Sequence, residues 1–339
     1  MRKSLFFASF VAAMFALPHL ALAEERSPGE ELQAAIARAG EFRGKAGDFG
    51  AEAYFPSEWE AAKALYERAA AMFTATDDVG GAIAGYNAAA DSFASLFRLS
   101  VPLYAQARED EIMMIRDGLV AAGARAFFPE LFGPADRAAV VALEQYEAGE
   151  YHAARDSAAT AYAMFQVLET AFGAWQTRRE IIRRWFTDYA RDNFDRAEEI
   201  IGEAIYAYLA GDFPLALENA IEAQARYSLV LSAGWAALAE NRSSLARTER
   251  IAAVEARANV AAKDVFEKAD SLYDAAVDSM QGEYFREAAE QFADAVALYT
   301  HARKSTLERR RIAAEAIREA NRLIEEQIRA AQEAELNIN

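Results

Sequence analysis

The feature that most constrains this chain is a pattern of aromatic and small residues that occurs four times. In each copy an aromatic residue is followed three positions later by alanine, at Trp59/Ala62, Phe132/Ala135, Phe194/Ala197 and Phe266/Ala269. A turn signal follows each pair, starting at positions 77, 149, 211 and 282. Successive turns are thus roughly 60–70 residues apart, and such regular repetition indicates a repeat architecture in which like units stack on one another.

The turns predict helix hairpins. The last three copies have a turn of glycine, acid and aromatic residue, beginning at Gly149, Gly211 and Gly282, whereas the first copy has Asp77-Asp78-Val79. We expect the glycine to supply a left-handed residue that ends one helix, and the acid to cap the next helix.

Small and apolar residues follow each turn at steps of three and four, which places them on one helix face. They are Ala82, Tyr86, Ala89 and Phe93 in the first copy; Ala154, Ala158, Ala161 and Phe165 in the second; Ala216, Ala220, Ala223 and Tyr227 in the third; and Ala288, Phe292, Ala295 and Tyr299 in the fourth, which is displaced by one residue. The small residues allow a partner helix to approach closely.

Composition favours long helices. Alanine provides 81 of the 339 residues, against 7 prolines and 17 glycines, and alanine is the strongest helix former. Because no proline follows Pro214, helices of roughly 30 residues or more, each about 45 Å long, are expected in the second half. The predicted fold is all-α: an elongated array of four long helical hairpins, arranged as a solenoid or a bundle.

The predicted boundaries follow the repeats. Ser27 to Glu30 form a capping box with Pro28 at the first helical position, which starts an N-terminal helix. Pro56 and Pro129 mark breaks in the first two copies, and the lack of such a proline favours kinks in the third and fourth. The predicted segments are a signal peptide (1–23), an N-terminal helix (24–50) and repeats at 51–123, 124–186, 187–258 and 259–339, the last with a long C-terminal helix.

Positions 1–23 are predicted to form a secretory signal peptide. Arg2 and Lys3 precede an apolar run, and Ala21-Leu22-Ala23 matches the small-x-small cleavage pattern. A membrane anchor is the alternative, which Pro18 and the shortness of the run disfavour. Because the chain has no cysteine, a lipoprotein is excluded. We therefore expect cleavage after Ala23 and a periplasmic or secreted protein with no transmembrane anchor.

Charge limits the possible partners. Removal of Arg2 and Lys3 leaves 34 basic against 53 acidic residues, a net charge of −19. So negative a chain disfavours nucleic acids and anionic lipid surfaces as partners. The charge does not identify a specific protein partner.

Two resemblances concern the helices. The segments from Gly149 to Ala161 and from Gly211 to Ala223 resemble the second half of a tetratricopeptide repeat, although the spacing is about twice the 34 residues of that family. Leu32 to Ala39, with Phe55-Pro56, Ala62 and Ala69, resembles an alanine-rich helical domain of unknown function found in bacterial envelope proteins. The second resemblance implies an envelope location and no established activity.

No residue pattern indicates catalysis. The absence of cysteine removes thiol chemistry, and the two histidines after the signal peptide, His152 and His301, lie at different phases of the repeat. The acidic clusters at Asp77-Asp78 and at 109–111 lack the alternating ligands of a calcium loop. No phosphate-binding loop or hydrolase motif is present. The sequence therefore predicts no catalytic residue, no cofactor and no metal.

Two groups of side chains have a structural and a functional interpretation. Arginines at 178–179, 183–184 and 309–311 could bind an anion or an acidic partner, but ion pairs within the array are favoured. Trp175, Trp185 and Trp235 could line a groove for a ligand or partner, but packing between long helices is favoured. Trp185 and Phe186 are adjacent and cannot both face the same side, so one of them is expected at an interface.

These observations favour a non-catalytic periplasmic scaffold that mediates protein–protein interaction in the cell envelope. The alternative is a small-ligand-binding or transporter-accessory protein with an aromatic-lined groove, and self-association is a further possibility. The candidate residues are Gly149, Gly211 and Gly282 as structural turns, and Trp175, Trp185 and Trp235 as a ligand or partner surface.

Overall fold

A computed structural model describes residues 27–336 of the chain. The predicted signal peptide, 1–23, lies outside the described residues. Across the described part the elements are helices and no strand is present, which confirms the all-α class. None of the helices in this part is long and apolar enough to span a membrane.

Twelve α-helices and one 3₁₀ turn make up this part of the chain. They are α1 (Pro28–Asp48), α2 (Ala51–Tyr54), α3 (Pro56–Thr76), α4 (Val79–Ala121), α5 (Ala124–Phe127), α6 (Pro129–Glu147), α7 (Tyr151–Arg184), the 3₁₀ turn (Thr187–Ala190), α8 (Arg191–Ala210), α9 (Phe213–Glu255), α10 (Ala258–Ala261), α11 (Lys263–Gln281) and α12 (Phe285–Leu336). They form two compact units, one up to Glu109 and one from Asp110 onward, and α4 contributes to both.

In the first unit, α1 and α3 pack against the first half of α4. Leu32, Ala35 and Ala39 of α1 share one buried cluster with Ala69 and Ala82. A second cluster brings the aromatic residue of α3 against that of α4 and includes Trp59, Ala62, Ala89 and Phe93. The predicted capping box at the start of α1 is present, because the side chains of Ser27 and Glu30 each accept a hydrogen bond from the other's backbone N–H.

In the second unit, the hairpins α6/α7, α8/α9 and α11/α12 pack side by side. The long helix α9 contacts α7 on one side and α12 on the other. The alanines predicted to line the helix contacts are buried, among them Ala161, Ala216, Ala223 and Ala295, each 0% exposed. Close approach of alanine faces therefore builds this core.

One aromatic pair recurs in all four hairpins. The aromatic residue that opens each copy meets, edge to face, the aromatic residue that closes it. The pairs are Trp59–Phe93, Phe132–Phe165, Phe194–Tyr227 and Phe266–Tyr299, with ring centroids 5.2, 5.7, 5.8 and 5.3 Å apart. Such pairs add about 0.5–1.5 kcal/mol each beyond the area that they bury.

Left-handed residues mark the helix ends. Within the described residues, the hairpin turns contain Asp77, Gly149, Gly211 and Glu283 at positive φ, and the breaks between copies contain Gly50, Gly123, Trp185 and Arg257. The assignment of the left-handed residue to Gly282 is wrong: its φ is −81° and Glu283 has φ +61°. The turn therefore lies one residue later there.

This shift explains the displaced fourth copy. When positions are counted from the left-handed residue of each turn, the four face positions fall at the same places in every copy. In the fourth copy Glu283 is the origin, and Ala288 and Tyr299 then match Ala216 and Tyr227 of the third. The fourth copy therefore has the same pattern of face positions as the other three.

The predicted acidic caps are present in some turns only. Asp212 accepts a hydrogen bond from the backbone N–H of Leu215 (3.2 Å), and Asp78 from that of Gly81 (2.9 Å). Glu150 precedes α7 without a side-chain cap. Aspartate is a preferred N-cap and glutamate is not, since the longer side chain does not place its oxygen over the first turn.

The kinks predicted for the third and fourth copies are wrong. α7 and α9 end at true breaks, where Trp185 (φ +61°) and Arg257 (φ +58°) take the conformation that Gly50 and Gly123 take in the first two breaks. The helices end there without proline because the left-handed residue itself ends the helix.

Gly211 and Gly282 should differ in their tolerance of a side chain. We expect Gly211→Ala to lower the free energy of unfolding by about 1–2 kcal/mol, because its φ is +84° and no atom lies within 4 Å of an added Cβ, so that the cost is conformational. Gly282→Ala is the matched control: its φ is −81° and only the exposed ring of Tyr284 must move. Urea unfolding measures both, and equal losses would contradict the assignment.

Candidate functional site

An ion pair recurs between successive elements of the second unit. In each case an arginine on a long helix pairs with an acid on a following helix, at a sequence separation of 20. The Nε–carboxylate distances are 2.7 Å for Arg116–Asp136, 2.5 Å for Arg178–Glu198 and 2.8 Å for Arg250–Asp270. Each arginine precedes the left-handed break residue by the same number of positions, so the repeat geometry fixes the pair.

A tyrosine completes the last two of these pairs. The hydroxyl of Tyr227 donates to Glu198 and that of Tyr299 donates to Asp270, each at 2.5 Å. Phe165 stands at the corresponding position of the second copy and has no hydroxyl. We call these two groups the Arg–carboxylate–Tyr clusters. The first cluster joins α7, α8 and α9, and the second joins α9, α11 and α12.

In both clusters the carboxyl group is ionised and the tyrosine hydroxyl is protonated near neutral pH. Burial raises the pKa of Glu198, but hydrogen bonds from Arg178 and Tyr227 outweigh it and leave the pKa below its usual value. The pKa of Asp270 is lowered in the same way. Burial, and then the neighbouring carboxylates, raise the pKa values of the two tyrosines. A carboxylate that stays ionised and a phenol that stays protonated suit a structural link better than a proton transfer near neutral pH.

The arginine clusters singled out in the sequence form ion pairs within the chain. Arg178 binds Glu198 through two nitrogens, and Arg184 pairs with Glu180 at 3.0 Å. Arg311 pairs with two acids on its own helix. The ion-pair interpretation is therefore confirmed for these three arginines.

The three candidate tryptophans do not share one surface. Trp175 is half-buried, with its ring stacked on Phe172 at 5.6 Å and packed on Phe127 at 4.0 Å, and Arg179 lies over it. This environment is a packed helix contact.

The placement of Trp235 on a ligand or partner surface is wrong. Trp235 is 5% exposed and meets Phe186 edge to face at 5.7 Å. The guanidinium groups of Arg184 and Arg286 lie over its ring at 4.1 and 5.6 Å. Helical periodicity alone could not show that two arginines from neighbouring helices cover this ring.

Trp185, in contrast, is presented to solvent. It is 86% exposed, while the adjacent Phe186 is 5% exposed, which confirms that the two side chains face opposite ways. Phe186 packs against Gly234, where an added Cβ would lie 2.3 Å from its ring. The buried phenylalanine therefore fixes the break, and the break points the tryptophan outward.

Backbone strain accompanies this exposure. Trp185 is left-handed, with φ +61° and ψ +37°, a conformation that costs a residue with a Cβ roughly 1–2 kcal/mol. Ile182 and Tyr189 precede and follow it by three and four positions, and they are 43% and 52% exposed. We call Ile182, Trp185 and Tyr189 the Trp185 surface.

Neither Tyr189 nor the recurring arginine–acid pairs were predicted from the sequence. The pairs had a signal: in three copies an arginine and an acid share the same sequence separation of 20, at a fixed distance from the break. Tyr189 had none, since its exposure depends on the 3₁₀ turn that follows Trp185.

Gly149 and Gly211 are in the hairpin turns at positive φ.

Among the described residues, no three histidine or acidic side chains are placed to hold a metal ion. Comparison of the chain with protein-family models, with curated proteins and with solved structures gave no match.

Proposed function

We propose that this protein is a non-catalytic helical-repeat scaffold of the bacterial cell envelope, which binds a partner protein through the Trp185 surface. The observation that carries the proposal is the exposed, left-handed Trp185. An aromatic side chain that is 86% exposed at a strained backbone position contributes little to the stability of the isolated chain. Strain of this kind concentrates at functional sites, and tryptophan is enriched among the residues that dominate binding energy.

Rigid support of this surface favours binding. The Arg178–Glu198–Tyr227 cluster joins α7, α8 and α9, the helices around the break. Phe186 packs against Gly234 and Trp235 of α9. A side chain displayed on a pre-organised surface loses less conformational entropy when it binds.

The test uses the left-handed conformation of Trp185. Trp185→Gly removes the side chain and relieves the strain, so the free energy of unfolding should stay equal or rise by about 1 kcal/mol. A photo-crosslinking residue at position 189 should capture a reproducible protein in cells, and Trp185→Gly should abolish that capture. The control is the same photo-crosslinking residue in place of Tyr206, which lies on α8 and is 77% exposed; it should not capture that protein. Capture that survives Trp185→Gly would contradict the proposal.

The envelope location rests on the predicted signal peptide. Cell fractionation followed by N-terminal sequencing should find the chain outside the cytoplasm with Glu24 as its first residue. A cytoplasmic chain that retains Met1 would contradict the location but leave the binding proposal standing.

The ligand-binding alternative, with a groove lined by Trp175, Trp185 and Trp235, has less support. Trp235 is buried, Trp175 packs within a helix contact, and Trp185 faces solvent. Native mass spectrometry of the purified protein tests this alternative, since a bound small molecule would favour it over the scaffold.

A further inference from the structure

The last helix continues far beyond the part of it that packs. Thr306 of α12 is 1% exposed, and every residue from 307 to 333 is exposed. α12 runs to Leu336. Arg309 still donates a hydrogen bond to the carbonyl oxygen of Ala261 (3.0 Å), but residues 310–333, roughly 36 Å of helix, are all exposed. Isolated helices in water are marginal, and most helical stability comes from packing of an apolar face.

The exposed segment of α12 lacks the buried alanine face on which a further hairpin of the array would pack. When the third and fourth copies are aligned on Gly211 and Glu283, the buried positions of α9 can be compared with those of α12. Ala239, Ala246 and Ala253, each 0% exposed in α9, then correspond to Arg311, Arg318 and Glu325. The face that would receive another hairpin is therefore charged.

A different face of the segment is apolar. At about 100° per residue, an apolar stripe covers roughly half of the helix surface. Its largest members are Ile312, Ile317, Leu323, Ile324 and Ile328, which are 53, 61, 47, 52 and 53% exposed. Ala313, Ala316, Ala320 and Ala331 fill the space between them.

Salt bridges occupy the opposite face. Arg311 pairs with Glu308 and Glu315, and Arg322 pairs with Glu319 and Glu326. The segment is thus a complete amphipathic helix, and its apolar stripe points away from the charged face.

Charge is unevenly distributed along this helix. Residues 307–318 contain four arginines and two glutamates, whereas residues 319–333 contain four glutamates and two arginines. Two parallel copies would place like ends together, but two antiparallel copies place the basic half of each beside the acidic half of the other.

We propose that residues 312–331 of α12 pair with the same segment of a second copy, in an antiparallel arrangement. The apolar stripe of each helix covers that of the other, with isoleucine opposite alanine or isoleucine. The contact lies outside the array, because the array face of this segment is charged. The protein is therefore a dimer, joined through its C-terminal helices.

Overall charge on the segment favours a protein partner over a membrane. Residues 307–333 contain six arginines and six glutamates. Helices that lie on anionic membranes carry an excess of basic residues on the polar face, which this segment lacks.

Sedimentation equilibrium of the purified full chain tests the association. The wild-type chain should be dimeric at micromolar concentration, and Ile317→Glu/Ile324→Glu should weaken the dimer at least a hundredfold. Both side chains are more than half exposed, so the monomer should keep its fold. Ile221→Glu/Leu229→Glu on α9, at 53 and 57% exposure, is the matched control and should stay dimeric. A monomeric wild-type chain, or a dimer that the α12 variant does not weaken, would overturn the proposal.

Pulsed electron paramagnetic resonance tests the orientation. Because the chain has no cysteine, Ala314→Cys and Gln332→Cys each give a single site for a spin label. Antiparallel helices that overlap fully over residues 312–331 should offset the two labels of a dimer along the helix axis by roughly 22 Å for Ala314→Cys and roughly 32 Å for Gln332→Cys, at about 1.5 Å per residue. Short distances of parallel helices would overturn the arrangement. A wild-type chain that is monomeric in solution but sediments with vesicles rich in anionic lipid would overturn the dimer proposal. If Ile317→Glu/Ile324→Glu abolished that sedimentation, the apolar stripe would bind a membrane surface instead.

Discussion

We expect Gly234→Ala to lower the free energy of unfolding by about 2 kcal/mol through overpacking, although alanine is the better helix former. An added Cβ at Gly234 would lie 2.3 Å from two ring carbons of Phe186 and 2.7 Å from its Cβ. Phe186 is 5% exposed and held against Trp235, so its near end cannot turn away. Contacts this close place the overpacking cost near the upper end of about 1–3 kcal/mol, so a gain of about 1 kcal/mol in helix propensity leaves a net loss of about 2 kcal/mol.

Gly202→Ala is the control for helix propensity. Gly202 lies within α8 and an added Cβ meets nothing within 4 Å, so we expect a gain of about 0.5–1 kcal/mol in the free energy of unfolding. Chemical denaturation measures both variants. A gain for Gly234→Ala as well would show that the Phe186 contact is looser than the distances indicate.

A double-mutant cycle tests the cause. Phe186→Ala empties the space that an added Cβ at Gly234 needs, and alanine occupies the position after the left-handed residue in the other breaks, at Ala51, Ala124 and Ala258. We expect the two substitutions together to cost less than the sum of their separate effects, since neighbours that share space are not additive. Additive costs would contradict the steric explanation.

The second large effect is expected at the Arg178–Glu198–Tyr227 cluster. Glu198→Ala should lower the free energy of unfolding by about 2–3 kcal/mol, because it leaves the hydroxyl of the buried Tyr227 and the guanidinium of Arg178 without their shared acceptor. The ion pair itself contributes the smaller part, since the two charged side chains are 37 and 34% exposed and solvent screens them.

Two variants apportion this effect. Tyr227→Phe should cost about 1 kcal/mol, the worth of one hydrogen bond, and reproduces the second copy, where Phe165 stands in place of the tyrosine. Glu290→Ala removes an exposed partner of Arg286, at 62 and 56% exposure, and should cost less than about 0.5 kcal/mol. Equal losses for Glu198→Ala and Glu290→Ala would contradict the role of the cluster.

The clusters should also make stability depend on acid. The pKa values of Glu198 and Asp270 are lowered from 4.5 and 3.8 in the folded chain, so their stabilisation is full above those ordinary values and is lost as pH falls below them. We therefore expect the difference in unfolding free energy between wild type and Glu198→Gln/Asp270→Asn to shrink from about pH 6 to about pH 3. A constant difference would contradict the lowered pKa values.

Much of the fold was predictable because each copy repeats the same pattern. The spacing of aromatic residue, alanine and turn signal identified the helix hairpins. The aromatic residue that closes each copy lies on the predicted face and pairs with the aromatic residue that opens it. The error at Gly282 arose because glycine is permissive at either sign of φ. The sequence therefore did not show that the left-handed residue is Glu283 instead of Gly282.

The candidate site was less predictable. The three candidate tryptophans differ in exposure, from 5% for Trp235 to 86% for Trp185. Arg184 and Arg286 cover Trp235 from two helices that are far apart in the chain, and the left-handed break turns Trp185 outward. Neither arrangement follows from helical period, since both depend on which helices become neighbours.

By itself the sequence determined the all-α class, the hairpin repeat and the faces on which alanines meet. These follow from local propensity and from a period of three and four residues, which act along one helix. Only the tertiary structure decided which long-range ion pairs form and where the left-handed residue of the last turn lies. It also decided that Thr306 is buried while α12 is exposed from 307 to 333. Those outcomes depend on contacts between segments distant in the chain, whose geometry no single helix contains.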